Sequence, residues 1–151
     1  MPIFVENIHF KHFFNCSPER LFVTCSNPNL YGAWFVPDLE SSIIIDWNNI
    51  YSGGTSRVHI CRKNNLGLTI EKTYHIVEPN KLVMFTDFLW NGDFLQVIAV
   101  MEYTMTTNRT GCCLEVSGQI TSFIGQEGIL EYLANFKRTL SSLAILLLRC
   151  S

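Results

Sequence analysis

The sequence predicts an α+β fold: a curved antiparallel sheet of about seven strands wrapped around one long C-terminal helix, with two short helices after the first strand. Three observations carry this. Between residues 42 and 120, short apolar and β-branched runs alternate with turn residues at hairpin spacing. Residues 17–34 hold a proline-started helical segment that a second proline cuts short. From Ile129 onward, apolar residues recur in alternating steps of four and three.

The elements follow in order. "IHFKHFFNC" at 8–16 alternates around Phe10 and Phe14 and reads as a strand. Ser17 is a good helix N-cap and Pro18 suits the first helical position. That helix reaches only to about residue 26, because proline disfavours helical geometry at the preceding Asn27. A second helical turn over 28–33 leads to Trp34. "SIIIDWN" (42–48), "TSRVHICR" (55–62), "LTIEKTYHIV" (68–77), "LVMFTDFLW" (82–90), "FLQVIAVMEYTM" (94–105) and "GCCLEVSGQI" (111–120) supply the other strands. "SGG", "KNNLG", "EPNK", "NGD" and "TNRTG" punctuate them, as hairpin turns of an antiparallel sheet do. If "KNNLG" pairs Arg62 with Leu68, His59 lies opposite Glu71 and Arg57 opposite Thr73. Over 125–149, Ile129, Leu133, Phe136, Leu140, Leu143 and Leu147 form one helical stripe, widened by Leu130, Ala144, Ile145 and Leu148. Residues 1–151 read as a single domain, long enough to bury a core without staples.

Alternation decides which side chains face the helix. The inward set is Ser56, Val58, Ile60, Ile70, Tyr74 and Ile76, then Leu82, Met84, Thr86 and Phe88, then Val97, Ala99, Met101, Tyr103, Leu114 and Val116. The helix adds Leu133, Phe136, Leu140 and Leu143. Lys72 shares the inward parity and is the one charged member. His59, His75, Arg57 and Glu71 fall on the solvent face.

The totals exclude several functions. Net charge is −2, and Lys/Arg clusters stop at two adjacent residues, so a nucleic-acid partner is not expected. The N-terminus lacks the pattern of a signal peptide, and no apolar run approaches the ~20 residues of a membrane span, so a cytoplasmic protein is expected. Six cysteines show no CxxC pair and are expected as free thiols, with Cys112 and Cys113 pointing to opposite faces. His9 and His12 lie three apart on a strand and cannot share one ion, so neither a metal nor another cofactor is expected.

Five segments together carry a family resemblance. "SPERLF", "NPNLYGAW", the "GG" pair at 53–54, "IVEPNKLVMFT" and the closing "EGILEYLANFKRTLSSLAILL" appear in the right order. Over roughly residues 8–148 the chain resembles the START-like or SRPBCC superfamily, whose fold is the helix-grip, and looks nearest to the subfamily related to the activator of the heat-shock ATPase chaperone. Two departures are Asn27, where an acid is commoner, and the unusual "SSIIIDWNNIYS" before the glycine pair. The resemblance implies that the helix pair sits in the curve of the sheet, and that Trp34 closes one end of the interior, costing about 3–5 kcal/mol on truncation if fully buried.

With 48% hydrophobic residues and only 16% charged, the chain has apolar surface to spare for a lining. The expected function is binding of a small apolar or amphipathic ligand, such as a lipid, between sheet and helix. Its expected contacts are Trp34, Val58, Ile60, Tyr74, Met84, Thr86, Met101, Tyr103, Phe136 and Leu140. The resemblance keeps two alternatives open: an enzyme of the polyketide cyclase/dehydratase or hydrolase kind, and a chaperone-associated interaction module. The enzyme needs an acid/base pair, and the inward set contains no carboxylate and no histidine. The apolar surplus, including Ile43–Ile45, is compatible with a homodimer.

Overall fold

A computed structural model describes residues 2–35, 40–62 and 65–149; the turn residues Lys63 and Asn64 and the thiol of Cys150 lie outside them. Strand β1 (Phe4–Phe14) leads into α1 (Pro18–Ser26), a 3-10 turn (Pro28–Leu30) and α2 (Tyr31–Trp34). Strands β2 (Ser41–Asn48), β3 (Thr55–Arg62), β4 (Asn65–Glu78), β5 (Leu82–Asn91), β6 (Phe94–Thr107) and β7 (Cys112–Ser122) follow, and α3 (Gln126–Arg149) closes the order. The seven strands form one curved antiparallel sheet in the order β1-β7-β6-β5-β4-β3-β2. No helix among the described residues is long and apolar enough to cross a membrane.

The local rules account for the helical corner. Ser17 accepts a hydrogen bond from the Arg20 amide at 3.2 Å, with Pro18 in the first turn. Asn27 ends α1 in extended geometry and caps the next turn, accepting from the Asn29 amide at 3.0 Å.

Alternation is as expected over most of the sheet. Phe14, Val58, Tyr74, Val97, Ala99, Met101, Leu114 and Val116 are buried in the core. His9 and His12 do face opposite ways: His9 contacts Glu115 on the outer face at 2.6 Å, whereas the His12 ring packs beside Phe14. Burial holds the His12 imidazole below its ordinary pKa. Cys16, Cys25, Cys61, Cys112 and Cys113 are free thiols.

Two registers differ from expectation. Between β3 and β4, Arg62 pairs with Asn65, so Arg57, not His59, lies opposite Glu71. His59 instead bonds Thr69 at 2.9 Å and Asp46 at 2.8 Å. The second difference matters more. A continuous β4–β5 hairpin would pair even with even positions, as Ile76 with Met84 and Glu78 with Leu82 still do. A bulge between Tyr74 and Ile76 inserts one extra residue into β4. Beyond it Tyr74 faces Phe85, Lys72 faces Asp87, and Ile70 faces Leu89. The bulge therefore turns Val83, Phe85, Asp87 and Leu89 inward and Leu82, Met84, Thr86 and Phe88 outward. Ile76 is exposed, and Val77 packs on the core in its place.

The glycine pair holds this irregularity. Gly53 N–H donates to the Tyr74 carbonyl at 2.8 Å, and Tyr74 N–H donates to the Gly54 carbonyl at 2.9 Å. The Val77 amide donates to Ser52 Oγ at 2.8 Å. The 52–54 loop thus grips β4 on both sides of the bulge. Gly53 needs its positive φ of 87°, and a Cβ on Gly54 would lie 2.1 Å from the Asn49 carbonyl oxygen.

Helix α3 packs on β1, β7 and β6, and against α1 and α2. Its buried side chains are Ile129, Tyr132, Leu140, Leu143 and Leu147, with Leu133, Phe136 and Ala144 partly buried beside them. Leu130, Ile145 and Leu148 are exposed instead of widening the stripe. Tyr132 takes that place because it lies three residues from Ile129 and four from Phe136. The helix covers mainly one half of the concave face, and the half made by β3, β4 and β5 is left with space above it.

Candidate ligand cavity

That space is a cavity of about 240 Å³. Its floor is β3 (Ser56, Val58, Ile60), β4 (Leu68, Ile70, Lys72, Tyr74) and β5 (Val83, Phe85, Asp87, Leu89). Side chains from α1, α2 and α3 roof it, among them Leu21, Phe22, Trp34, Tyr132, Phe136 and Leu140. Glu131 and Arg138 line it yet are exposed, which places them at the rim.

Of the ten residues expected to contact a ligand, Trp34, Val58, Ile60, Tyr74, Tyr103, Phe136 and Leu140 lie on the cavity wall. Three do not. Met84 and Thr86 are on the other side of β5 because of the bulge, and Thr86 Oγ1 meets His75 Nε2 at 2.7 Å there. Met101 has inward parity but is 1% exposed, packed in the core opposite Gly118 rather than on the wall.

Trp34 is half-buried, edge-on to Tyr31 and Phe35 at 5.6 Å each. Its indole N–H is buried without a hydrogen-bond partner among the described residues. Tyr31 below it is fixed by polar bonds: Asn48 Nδ2 donates to Tyr31 Oη at 2.8 Å, and Tyr74 Oη donates to Asn48 Oδ1 at 3.5 Å. Burial pushes the Tyr31 phenol up to about 12 and raises that of Tyr74 as well. Both stay neutral hydroxyls at physiological pH.

Of the polar centre of the cavity, Lys72 was expected to face inward, whereas Asp87 and Tyr132 were not. Lys72 Nζ stands 3.3 Å from Asp87 Oδ1 and 3.8 Å from the centre of the Phe85 ring. Tyr132 Oη donates to Asp87 Oδ2 at 3.0 Å from across the cavity. Asp87 Oδ1 has the ammonium beside it for charge but no aligned hydrogen-bond donor among the described residues. Burial, then the Asp87 charge, raises the Tyr132 and Tyr103 phenols well above their ordinary range, so both remain protonated donors. Burial pushes the Cys25 thiol on the cavity wall up to about 12.

Chemically, this is an apolar chamber with one neutralised ion pair and several neutral phenols at its middle. Such a set could orient the polar group of a bound molecule while the walls hold its apolar body. Asp87 and Tyr132 also form the carboxylate–phenol pair that proton transfer would need.

No family model matches the sequence, and no curated protein does. Solved structures do match. An uncharacterized protein from Rhizobium leguminosarum superposes with a TM-score of 0.82 at 16% identity, over 98% of this chain and 97% of that one. A protein from Chromobacterium violaceum gives 0.79 at 16% identity, over 93% of this chain and 96% of that one. Ara h 8.0201 gives 0.73 at 12% identity, over 96% of this chain and 99% of that one. At these identities the likeness is one of fold: the chain shares with these proteins, over nearly its whole length, the sheet and C-terminal helix of the helix-grip arrangement.

Proposed function

We propose that the protein binds a small apolar or amphipathic molecule in the chamber between the β3–β5 floor and the α1–α3 roof. The observation that carries this is the uncovered half of the sheet: a folded core of this composition leaves about 240 Å³ unfilled beneath a side-chain roof. Interiors normally pack to crystal-like density, so an unfilled volume of this size needs a reason. It falls just under the ~300–1,000 Å³ typical of small-molecule sites and has their apolar walls and few polar groups. Trp34, Val58, Ile60, Tyr74, Tyr103, Phe136 and Leu140 are the proposed contacts. The fold and the five sequence segments support placing the chain, as one domain, in the START-like superfamily.

A second reading is proton-transfer chemistry on the bound molecule, favoured by the Tyr132–Asp87 hydrogen bond inside the chamber. Both readings need a ligand first. Native mass spectrometry of the purified protein should show an added mass that organic extraction removes. Saturation at about 100 times Kd should add about 2.7 kcal/mol of stability. Absence of both an added mass and a thermal shift across an apolar and amphipathic panel would sink the proposal.

A further inference from the structure

The charges inside the chamber say which head group it takes. This rests on the binding reading above and narrows it. Lys72 and Asp87 sum to zero, and the phenols of Tyr74, Tyr103 and Tyr132 are uncharged. A ligand carboxylate would have to take Lys72 from Asp87. That would leave the Asp87 carboxylate, in a residue only 7% exposed, with Tyr132 as its one donor among the described residues. A ligand ammonium would do the converse and strand Lys72 against Phe85. Both break a largely buried pair by removing a partner, the costly way to disturb one.

An alcohol or phenol does neither. Its oxygen accepts from the Lys72 ammonium, and its O–H donates to Asp87 Oδ1, the buried oxygen that lacks an aligned donor. A ketone or ether would only accept and would leave Oδ1 unsatisfied. We infer that the chamber selects an uncharged amphiphile whose buried end carries a hydroxyl, bridged between Lys72 Nζ and Asp87 Oδ1, and discriminates against carboxylate and ammonium heads.

The test uses three probes of equal chain length: 1-octanol, octanoate and octylammonium. Each is titrated calorimetrically into the intact protein at neutral pH. Octanol should bind at least about tenfold tighter than either ion, a gap the cost of opening a buried pair readily supplies. In Asp87→Asn the Lys72 charge loses its partner, so octanoate should overtake octanol. Should that variant fail to fold, the ranking in the unaltered protein decides alone. Octanoate binding the unaltered protein as tightly as octanol overturns the inference and leaves the binding reading standing. If none of the three binds, the inference falls, and the binding reading is decided by the added mass and the thermal shift across the wider panel.

Discussion

Tyr132, in the first half of α3, donates its hydroxyl to Asp87 in the middle of β5 at 3.0 Å, joining helix to sheet across the open half of the concave face. The bond exists because β5 presents its odd-numbered residues inward. It ties the position of the long helix to the charge pair on the chamber floor. A buried carboxylate is tolerated there because three groups share it: the Lys72 ammonium, the Tyr132 phenol and, through the ammonium, the Phe85 ring.

The pair should therefore behave as a unit in a double-mutant cycle. Asp87→Ala and Lys72→Ala each strand one charge and should each cost about 3 kcal/mol in urea denaturation. Lys72→Ala with Asp87→Ala strands neither charge and should cost clearly less than the two single changes together. Strictly additive costs would show that the two side chains do not interact.

Trp34→Ala should cost about 2 kcal/mol, below the ~3–5 of a fully buried aromatic. The ring is half-buried and leans on Tyr31 and Phe35 rather than being enclosed. A loss near 5 kcal/mol in the same denaturation assay would show a core plug instead.

Gly54→Ala should destabilise by about 2 kcal/mol or more, because the added carbon meets backbone, which cannot step aside. Gly53→Ala, with open space but a φ of 87°, should cost only about 1 kcal/mol. Thermal melts of the two variants side by side check the order; the reverse order would mean the loop relaxes freely.

Alkali should unfold the protein through its phenols. Tyr31 ionises near 12 when folded against an ordinary 10, and Tyr74, Tyr103 and Tyr132 are raised too. Above pH 10 the unfolded chain loses these protons while the folded chain keeps them. Stability is thus fully present below pH 10 and falls as pH rises toward 12 and beyond. Tyrosinate absorbance for these residues should rise together with the loss of circular dichroism. Their ionisation in a protein that stays folded would contradict the burial.

Most of the sheet was readable because one face is wet and one dry, so alternation names the side. That logic worked for β3, β6 and β7. It could not work for β5, where "LVMFTDFLW" is apolar on both parities and only its partner strand decides which face is which. The decision came from a bulge at His75, and nothing in "KTYHIV" announces one. Asp87 was lost from the expected lining for that reason alone. Tyr132 was legible: the steps 129, 132, 136, 140, 143 are as helical as the stripe chosen, and Tyr at 132 competes with Leu at 133 on the same face. In "NPNLYGAW" the break at Asn27-Pro28 was readable, since proline and capping chemistry are local, whereas the placing of Trp34 at the interior rested on the family resemblance.

The bulge at His75 makes the character of the chamber a question of pairing register as much as of residue type. Were the ladder to run on in step through His75, with no residue left out, Tyr74 would pair with Thr86 and Lys72 with Phe88, and β5 would present its other face to the chamber. Leu82, Met84, Thr86 and Phe88 would line the floor, Asp87 would stand outside, and Lys72 would face an aromatic ring with no acid near it. A slip of one residue in this pairing would thus turn a charge-balanced interior into a cationic one without altering any residue. The pairing register at this one position therefore sets the charge of the chamber, separately from the identities of the side chains that touch it.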